Sequence, residues 1–256
     1  MSATATLSDR PGYDRYWTML DSRGARARDF ARQILETSRP FLPAAPQQLD
    51  VLDVGSGYGH TAVELAKECR HVVGIEPSTE LAGFACGLKA ECGIDNLEFH
   101  KQGIYELTDQ ACYDLVVLDN VFEHLPDQPL ALQRIAACLR PGGVAYILVP
   151  NKLWPVEVHY HLPLLSYLPL KLANGYLRLS GRGRDYTDAS YAPTYWRLGR
   201  LLAAHKELSY RFVLPADVSL AMAGRSWHYR LGVAAIRRWP WLWAISKAFL
   251  VIAVKR

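Results

Sequence analysis

Three closely spaced glycines follow a short apolar run. The stretch VLDVGSGYGH places Gly55, Gly57 and Gly59 directly after residues 51–54. A strand that runs into such a turn and then into a helix is typical of sites that wrap a nucleotide cofactor, because glycine permits positive φ and a close approach of the backbone. The pattern here is G-x-G-x-G, and His60 stands where the dinucleotide pattern G-x-G-x-x-G has its third glycine.

A carboxylate precedes this turn. Asp53 lies inside the apolar run, two residues before Gly55. It would repel the pyrophosphate of a dinucleotide and attract a cationic amino-acid group instead. These residues therefore disfavour NAD, and a titration with NADH would test the alternative of an NAD enzyme.

Three later segments extend the pattern. Glu76 follows the apolar run HVVGI, 21 residues after Gly55. YDLVVLDNVFEHLPD covers residues 113–127, and LRPGGVAYILVPN covers residues 139–151. Together with VLDVGSGYG they resemble, in order and spacing, the motifs of class I S-adenosylmethionine (SAM)-dependent methyltransferases. The resemblance covers residues 51–151 and continues more loosely to the C-terminus.

This resemblance implies a fold and a cofactor. The fold is α/β and Rossmann-like: a seven-stranded, mostly parallel sheet with helices on both faces and lid insertions. The cofactor is SAM, with the carboxylate of Glu76 bonded to both ribose hydroxyls. Where the family often has an acid for the adenine amine, this chain has Ile104, so Gln102 or the backbone is expected to meet that amine. The residues expected at the cofactor are Asp53, Gly55, Ser56, Gly57, Gly59, Glu76, Gln102, Gly103, Ile104, Asp119 and Asn120.

The apolar periodicity and the turn residues support this architecture. Strands are predicted at 51–54, 71–77, 97–102, 113–120, 144–150, 207–215 and 249–255. Residues 1–46 are expected to form an N-terminal helical lid and linker, with a helix at about 25–36. Residues 47–256 are expected to form the methyltransferase domain, with acceptor-binding insertions at 151–192 and 216–245.

The segment after the fifth predicted strand carries candidate catalytic residues. In NKLWPVEVHYHLP, Glu157, His159 and His161 alternate, so in an extended chain they would share one face. An imidazole beside a carboxylate is a suitable general base for an alcohol acceptor. We therefore predict His159 as the base with Glu157 as its orienter; a hydrogen-bonded structural histidine is the alternative.

A second acid–histidine pair follows the fourth predicted strand. Glu123 and His124 resemble the pair that, in ubiquinone-biosynthesis O-methyltransferases, holds a divalent metal together with an acid three residues earlier. That earlier position is Asn120 here, a poorer ligand. We therefore expect no metal and interpret the pair as bracing its loop, with His124 also near the acceptor.

Arginines and tyrosines cluster in the first insertion. Guanidinium groups bind carboxylate or phosphate bidentately, so these residues predict a clamp for an anionic acceptor. A solvated lid is the alternative. Expected at the acceptor are Tyr16, Trp17, His124, Tyr176, Arg178, Arg182, Arg184 and Tyr186.

Charge and aromatic content add two predictions about partners. Residues 151–256 contain 16 Lys and Arg against five Asp and Glu, which indicates an anionic partner or a solvated basic surface. RRWPWLW at 237–243 combines cations and tryptophans as interfacial segments do. A peripheral membrane contact is therefore predicted as one alternative, and a buried lead-in to the last strand is the other.

Cysteine content and the N-terminus bear on the compartment. Five cysteines without a C-x-x-C pair suggest buried, reduced thiols. No charged segment followed by an apolar run opens the chain, so a secretory signal is not expected. A cytoplasmic location is the prediction.

The activity predicted from these residues is O-methylation of a hydroxyl or carboxylate on a small or lipid-linked, anionic acceptor. RNA methylation and SAM binding without catalysis are the open alternatives. A nucleic-acid partner is not favoured, because LDNVFE stands where an N-P-P-Y-type base-methylation motif would follow the fourth strand. The oligomeric state is not determined by the sequence.

Overall fold

A computed structural model describes residues 24, 26–221 and 226–256. Within them the chain forms one seven-stranded sheet of order β3-β2-β1-β4-β5-β7-β6, in which β7 runs antiparallel to both neighbours. The seven-stranded, mostly parallel sheet is therefore confirmed. Its strands are β1 (Asp50–Val54), β2 (His71–Ile75), β3 (Leu97–His100), β4 (Tyr113–Asp119), β5 (Leu139–Pro150), β6 (Leu208–Phe212) and β7 (Ala248–Lys255).

Local signals fix where several helices begin and end. The side chains of Ser78, Asp127 and Thr194 each accept the backbone N–H three residues later, which caps the helices that follow. Gly93 is left-handed and ends one of these helices. The α-helices are α1 (Ala27–Ser38), α2 (His60–Ala66), α3 (Thr79–Cys92), α4 (Gln128–Cys138), α5 (Leu170–Leu179), α6 (Tyr195–Ala204) and α7 (Trp227–Arg238).

Helices cover both faces of the sheet, as predicted. On one face, Ile34 of α1 and Leu65 of α2 pack on Val51 of β1. On the other, Leu132 of α4 and Leu198 of α6 join the core that holds the alternate strand residues. Side chains alternate between faces along a strand, so β1 contributes Val51 to one core and Leu52 and Val54 to the other. Each fully buried Leu or Ile contributes about 1.5–3 kcal/mol.

Some predictions about elements and burial need correction. Because α1 packs in the core, this part of the predicted 1–46 lid belongs to the body of the domain. Strand β5 begins at Leu139, so the RPGG turn lies inside the strand instead of before it. Cys69 and Cys138 are buried, but the other three cysteines are exposed because they lie on the outer side of α3 or in a loop. All five are free thiols.

Both predicted insertions leave the sheet at the edge where β1 and β4 end. The first follows Pro150 of β5, and the second connects Phe212 of β6 to Ala248 of β7 at the same edge. Asn151 joins them: its Nδ2 donates to the carbonyls of Ala244 (3.0 Å) and Ser246 (2.8 Å). The first insertion also has its own small core, around Leu165 and Leu177.

Candidate active site

The glycine turn adopts the backbone that its sequence predicts. Gly55, Gly57 and Gly59 have φ of +66°, +56° and +80°, the left-handed region that side chains disfavour. The N–H groups of Gly55 and Ser56 donate to the carbonyl of Ile75, at 2.8 and 3.1 Å. The end of β2 therefore anchors the turn that follows β1.

Glu76 lies beneath this turn. Its Oε2 accepts the N–H of Gly57 and its Oε1 accepts the N–H of Ser78, each at 3.0 Å. The residue is 8% exposed. The carboxylate thus couples the glycine turn to the start of α3, at the strand tip where the resemblance places a ribose contact.

The turn and its surroundings fit the polar cofactor that the fold implies. Ser56 Oγ is buried and has no hydrogen-bond partner among the described residues. A Cβ added at Gly57 would meet nothing within 4 Å, so there is open space beside the turn. Asp53 is buried at the end of β1, where β1 lies between β2 and β4. Binding of SAM by Ser56, the turn backbone and the two acids stays a prediction.

The segment expected at adenine is also defined. The N–H of Gln102 donates to the carbonyl of Glu76 at 3.2 Å, which sets this segment beside the tip of β2. Ile104 is buried and begins a short 3-10 turn, and the N–H of Gly103 donates to Glu106 Oε2 at 3.1 Å. The Ile104 side chain packs in the hydrophobic core, and its contact with adenine stays a prediction.

The loop after β4 connects the glycine turn to the histidines. Asn120 has φ of +56° and its Nδ2 donates to Oδ1 of Asp119 at 2.6 Å. The next residue, Val121, packs against the turn so closely that a Cβ on Gly55 would lie 2.7 Å from its Cγ2. A 3-10 turn then places Glu123 in a fully buried position.

Glu157 organises His159. Its Oε1 lies 2.7 Å from Nδ1 of His159, while Oε2 accepts the N–H groups of His159 (2.8 Å) and Tyr160 (2.6 Å). A carboxylate in this contact accepts the Nδ1 proton, so the Nε2 of His159 carries the lone pair in the neutral ring. Glu157 is buried, and the side chain of His159 is 20% exposed.

Glu123 and His124 complete a cluster around that imidazole. The Oε1 of Glu123 lies 3.7 Å from Nε2 of His159 and 3.9 Å from Nε2 of His124. The two rings meet edge to face, with centroids 5.2 Å apart. Because Nδ1 of His124 lies 2.9 Å from the carbonyl of Asp188, it is the protonated nitrogen. Desolvation and the neighbouring His159 lower the pKa of His124 to about 4, so this ring is neutral near pH 7.

The same cluster has the donor set of a metal site. One oxygen of Glu123 and one nitrogen each of His124 and His159 lie within 4.8 Å of one another. Carboxylate and imidazole ligands suit several divalent cations. The set differs from the one that the sequence suggested: Asn120 is bonded to Asp119, and His159 takes its place. The expectation that no metal is required stays a prediction.

Other predicted acceptor and catalytic residues have different surroundings. Residues 158–160 form a turn, not the extended chain expected, and His161 is exposed with φ of +53°. It therefore does not share a face with His159, because the turn rotates its backbone away. The catalytic role of His161 stays a prediction.

Most side chains of the predicted arginine–tyrosine clamp form contacts within the first insertion itself. Tyr186 is 4% exposed and packs in the insertion core, with Tyr176 against it. Arg182 donates to the carbonyls of Tyr160 and His161, and Arg178 donates to that of Arg184. Arg178, Arg182 and Arg184 nevertheless remain exposed. Tyr16 and Trp17 lie outside the described residues.

Sequence reasoning missed several residues of the site. The sequence favours Glu123 as a loop brace, with a metal ligand as the less favoured interpretation, and gives no sign that it lies beside His159. Asp188 contributes a backbone carbonyl, which no side-chain pattern reveals. The ring of Tyr58, inside the glycine turn, packs edge-on against the ring of Phe84 of α3, with the two centroids 5.3 Å apart. Nothing in the residue spacing indicates that pair.

The strand order and the helices on both faces are those of a Rossmann-like methyltransferase fold, and a comparison with protein families gives the same class. The model of the methyltransferase domain family matches residues 23–206, more than half of the chain. The chain therefore belongs to this family. That this chain transfers a methyl group from SAM is a proposal, which membership of the family supports.

Curated relatives differ in their substrates. Trans-aconitate 2-methyltransferase of Deinococcus radiodurans is 32% identical over 139 residues, 54% of this chain and 48% of that protein. Ubiquinone biosynthesis O-methyltransferase of Bradyrhizobium sp. is 32% identical over 106 residues, 41% of this chain and 42% of that protein. tRNA 5-carboxymethoxyuridine methyltransferase of Escherichia coli is 29% identical over 119 residues, 45% of this chain and 46% of that protein. The chain thus spans about half the length of each relative or less.

Solved structures support the same fold. The plantazolicin methyltransferase BpumL, in complex with a monoazolic desmethylPZN analogue and S-adenosylhomocysteine, superposes with a TM-score of 0.61 at 17% identity. The match covers 98% of this chain and 92% of that one. At this identity the likeness establishes the fold and leaves the acceptor undetermined.

Proposed function

We propose that this methyltransferase transfers a methyl group to oxygen, on a hydroxyl or carboxylate of a small or lipid-linked, anionic acceptor. The observation that carries the proposal is the Glu157–His159 contact of 2.7 Å, in a cluster joined to the glycine turn by residues 120–123. A cytoplasmic location is part of the proposal. Among the described residues, no helix is long and apolar enough to cross a membrane.

His159 is the base in this mechanism. Glu157 accepts the Nδ1 proton, fixes the tautomer and stabilises the imidazolium that forms when Nε2 takes the proton of an acceptor hydroxyl. SAM, when bound, supplies a methyl group made electrophilic by its sulfonium. The glycine turn and Glu76 orient that group, and alignment of this kind can account for about 7–11 kcal/mol of the barrier. A carboxylate acceptor would need no base.

The anionic character of the acceptor rests on charge and on relatives. The cations of the first insertion are exposed near the cluster, with Arg182 held to the carbonyls of Tyr160 and His161. Trans-aconitate and carboxymethoxyuridine, named in two relatives, are both carboxylic acids. Neutral His124 adds a polar ring that does not repel a cationic methyl donor.

The test is turnover of a panel of hydroxy acids, carboxylates and glycolipid precursors by the wild type and by His159→Gln and Glu157→Gln. Loss of the base should lower kcat on a hydroxyl acceptor by about 10²–10⁴-fold and leave SAM affinity within about twofold. His205→Gln is the matched control, because His205 forms a similar pair with Glu207 (3.1 Å) at the start of β6. Turnover of neutral amines or phenols alone would refute the anionic acceptor, and an unchanged kcat of His159→Gln on a hydroxyl acceptor would refute the base.

RNA is the second candidate acceptor. The tRNA methyltransferase relative and the basic second half of the chain favour it. Binding to RNA that weakens steeply with salt, together with methylation of that RNA, would support this alternative. Tight SAM binding without turnover of any acceptor would instead indicate a non-catalytic protein.

A further inference from the structure

Exposed apolar side chains are concentrated after β5. Of the fourteen large hydrophobic residues that the described part of the chain exposes, thirteen lie between residues 156 and 245, and Phe84 is the exception. Single exposed hydrophobics are ordinary, but a concentration of them marks an interaction surface. The N-terminal half of the sheet, which is covered by α1–α3, has no comparable concentration among the described residues.

Helix α5 presents apolar residues outward as well as inward. Ala173 and Leu177 are fully buried in the insertion core. Leu172 and Leu179, seven residues apart and therefore on one face, are 61% and 90% exposed. The inner face anchors the helix, and the outer face has no covering element among the described residues.

Helix α7 and the turn after it repeat this arrangement. Trp227 and Leu231, one helical turn apart, are 66% and 61% exposed, whereas Val233 is buried. In the 3-10 turn over residues 240–245, Trp241 and Ile245 are 68% and 59% exposed. This turn packs on α7, and Asn151 bonds its last residues to the start of the first insertion. We call Leu172, Leu179, Trp227, Leu231, Trp241 and Ile245 the interfacial surface.

The charges along these two segments are positive, although Asp185 accepts a hydrogen bond from Asn174 of α5 and Asp217 interacts with Arg230 of α7. Residues 164–184 contain four Lys and Arg and no Asp or Glu. Residues 226–247 also contain four Lys and Arg and no Asp or Glu. The guanidinium of Arg238 lies 5.7 Å from the ring centroid of Trp239. Tryptophans sit at the boundary between lipid headgroups and acyl chains, while Lys and Arg near them meet anionic headgroups. This chemistry matches an anionic lipid surface more closely than a second copy of the same basic face.

We propose that the interfacial surface docks this methyltransferase on an anionic lipid bilayer. Both insertions begin at the sheet edge that carries the glycine turn and the Glu123–His159 cluster, so docking there brings the catalytic edge to the bilayer. Where the proposed function holds, the acceptor is then a lipid-linked molecule with an anionic group near the headgroups. The docking itself does not depend on catalysis.

Co-flotation with liposomes tests the docking without SAM or acceptor. The full chain should float with vesicles of phosphatidylcholine and phosphatidylglycerol (7:3), about tenfold more than with pure phosphatidylcholine, and 0.5 M NaCl should reduce this binding. Trp227→Ser/Trp241→Ser should lose binding at least tenfold, and Arg237→Gln/Arg238→Gln should lose the preference for phosphatidylglycerol. Phe84→Ser and Arg28→Gln/Arg32→Gln are the matched exposed controls, and circular dichroism checks the fold of every variant.

Several outcomes would overturn the proposal. The first is that the protein does not float with anionic vesicles at low salt. The second is that the tryptophan variant floats as well as the controls. The third is that light scattering finds a wild-type dimer that becomes monomeric in the tryptophan variant. Loss of RNA binding without any vesicle binding would assign the surface to nucleic acid. Turnover of a soluble acid should be unchanged in the tryptophan variant. Flotation therefore tests the docking, and turnover of the soluble acid tests the proposed function separately.

Discussion

The carboxylate of Glu76 accepts the backbone N–H of Gly57 at 3.0 Å, and so the tip of β2 holds the turn that follows β1. The second oxygen of the same carboxylate accepts the N–H of Ser78, at the start of α3. One acid thereby holds together the glycine turn and the start of α3, where the cofactor is predicted to bind. The order of the strands makes this contact possible, because β1 and β2 are parallel neighbours.

Replacing this acid should weaken SAM binding. In Glu76→Gln an amide NH₂ replaces one of the two oxygens that accept backbone N–H groups. In either orientation of the amide, this donor faces another donor, the N–H of Gly57 or that of Ser78, and one hydrogen bond is lost. We expect the Kd for SAM to rise about 10–100-fold, measured by calorimetry. Glu80→Gln, an exposed acid in the first turn of α3, should leave it within about twofold. Equal Kd values for the two variants would contradict this role.

Two glycines of the turn should respond differently to alanine. Both have positive φ, but a Cβ on Gly59 would lie 2.5 Å from Cζ of Phe99 and 2.9 Å from Cβ of Ala85, while one on Gly57 meets open space. Gly57→Ala should lower the free energy of unfolding by about 1 kcal/mol, the cost of the backbone conformation. Gly59→Ala adds overpacking and should lower it by about 2–4 kcal/mol. Urea denaturation measures both, and equal losses would argue against the contact.

His124 should titrate far below an ordinary histidine. Its pKa is lowered to about 4 by desolvation and then by His159, so NMR titration should find a neutral ring at pH 6. The folded protein binds this proton less readily than the unfolded chain, whose histidine titrates near 6.5. The free energy of unfolding should therefore fall as the pH drops from about 6.5 through 4. In His159→Gln the pKa of His124 should move up, and no movement would show that the rings are not coupled.

A chelator separates a histidine base from a metal site. If His159 acts through its own lone pair, EDTA followed by gel filtration should leave kcat unchanged, and elemental analysis should find less than about 0.1 metal ion per chain. Loss of activity that Mn²⁺ or Zn²⁺ restores would instead make Glu123, His124 and His159 ligands, and the base assignment would be wrong. The three donor atoms lie within 4.8 Å of one another, a geometry that suits either a histidine base or a metal site. The chelator experiment discriminates between these two roles.

Local patterns were enough for the sheet and the cofactor turn. Ser78, Asp127 and Thr194 cap helices through contacts that span only three residues. The left-handed backbone of the turn after β1 follows from its glycines, because a side chain on Cα destabilises positive φ. Such features depend on neighbours in the chain, and for that reason sequence spacing reveals them.

The sequence by itself determined the alternating strands and helices, the glycine turn and the acid at the tip of β2. Only the tertiary structure decided that Glu123 and His159, 36 residues apart, face one another, that His161 turns away, that α1 belongs to the core and that Tyr186 is buried. Strand and helix periods depend on contacts along the chain, which the order of residues encodes directly. The cluster of Glu123, His124 and His159 depends on how two loops from different strands pack together, and no local period records that packing.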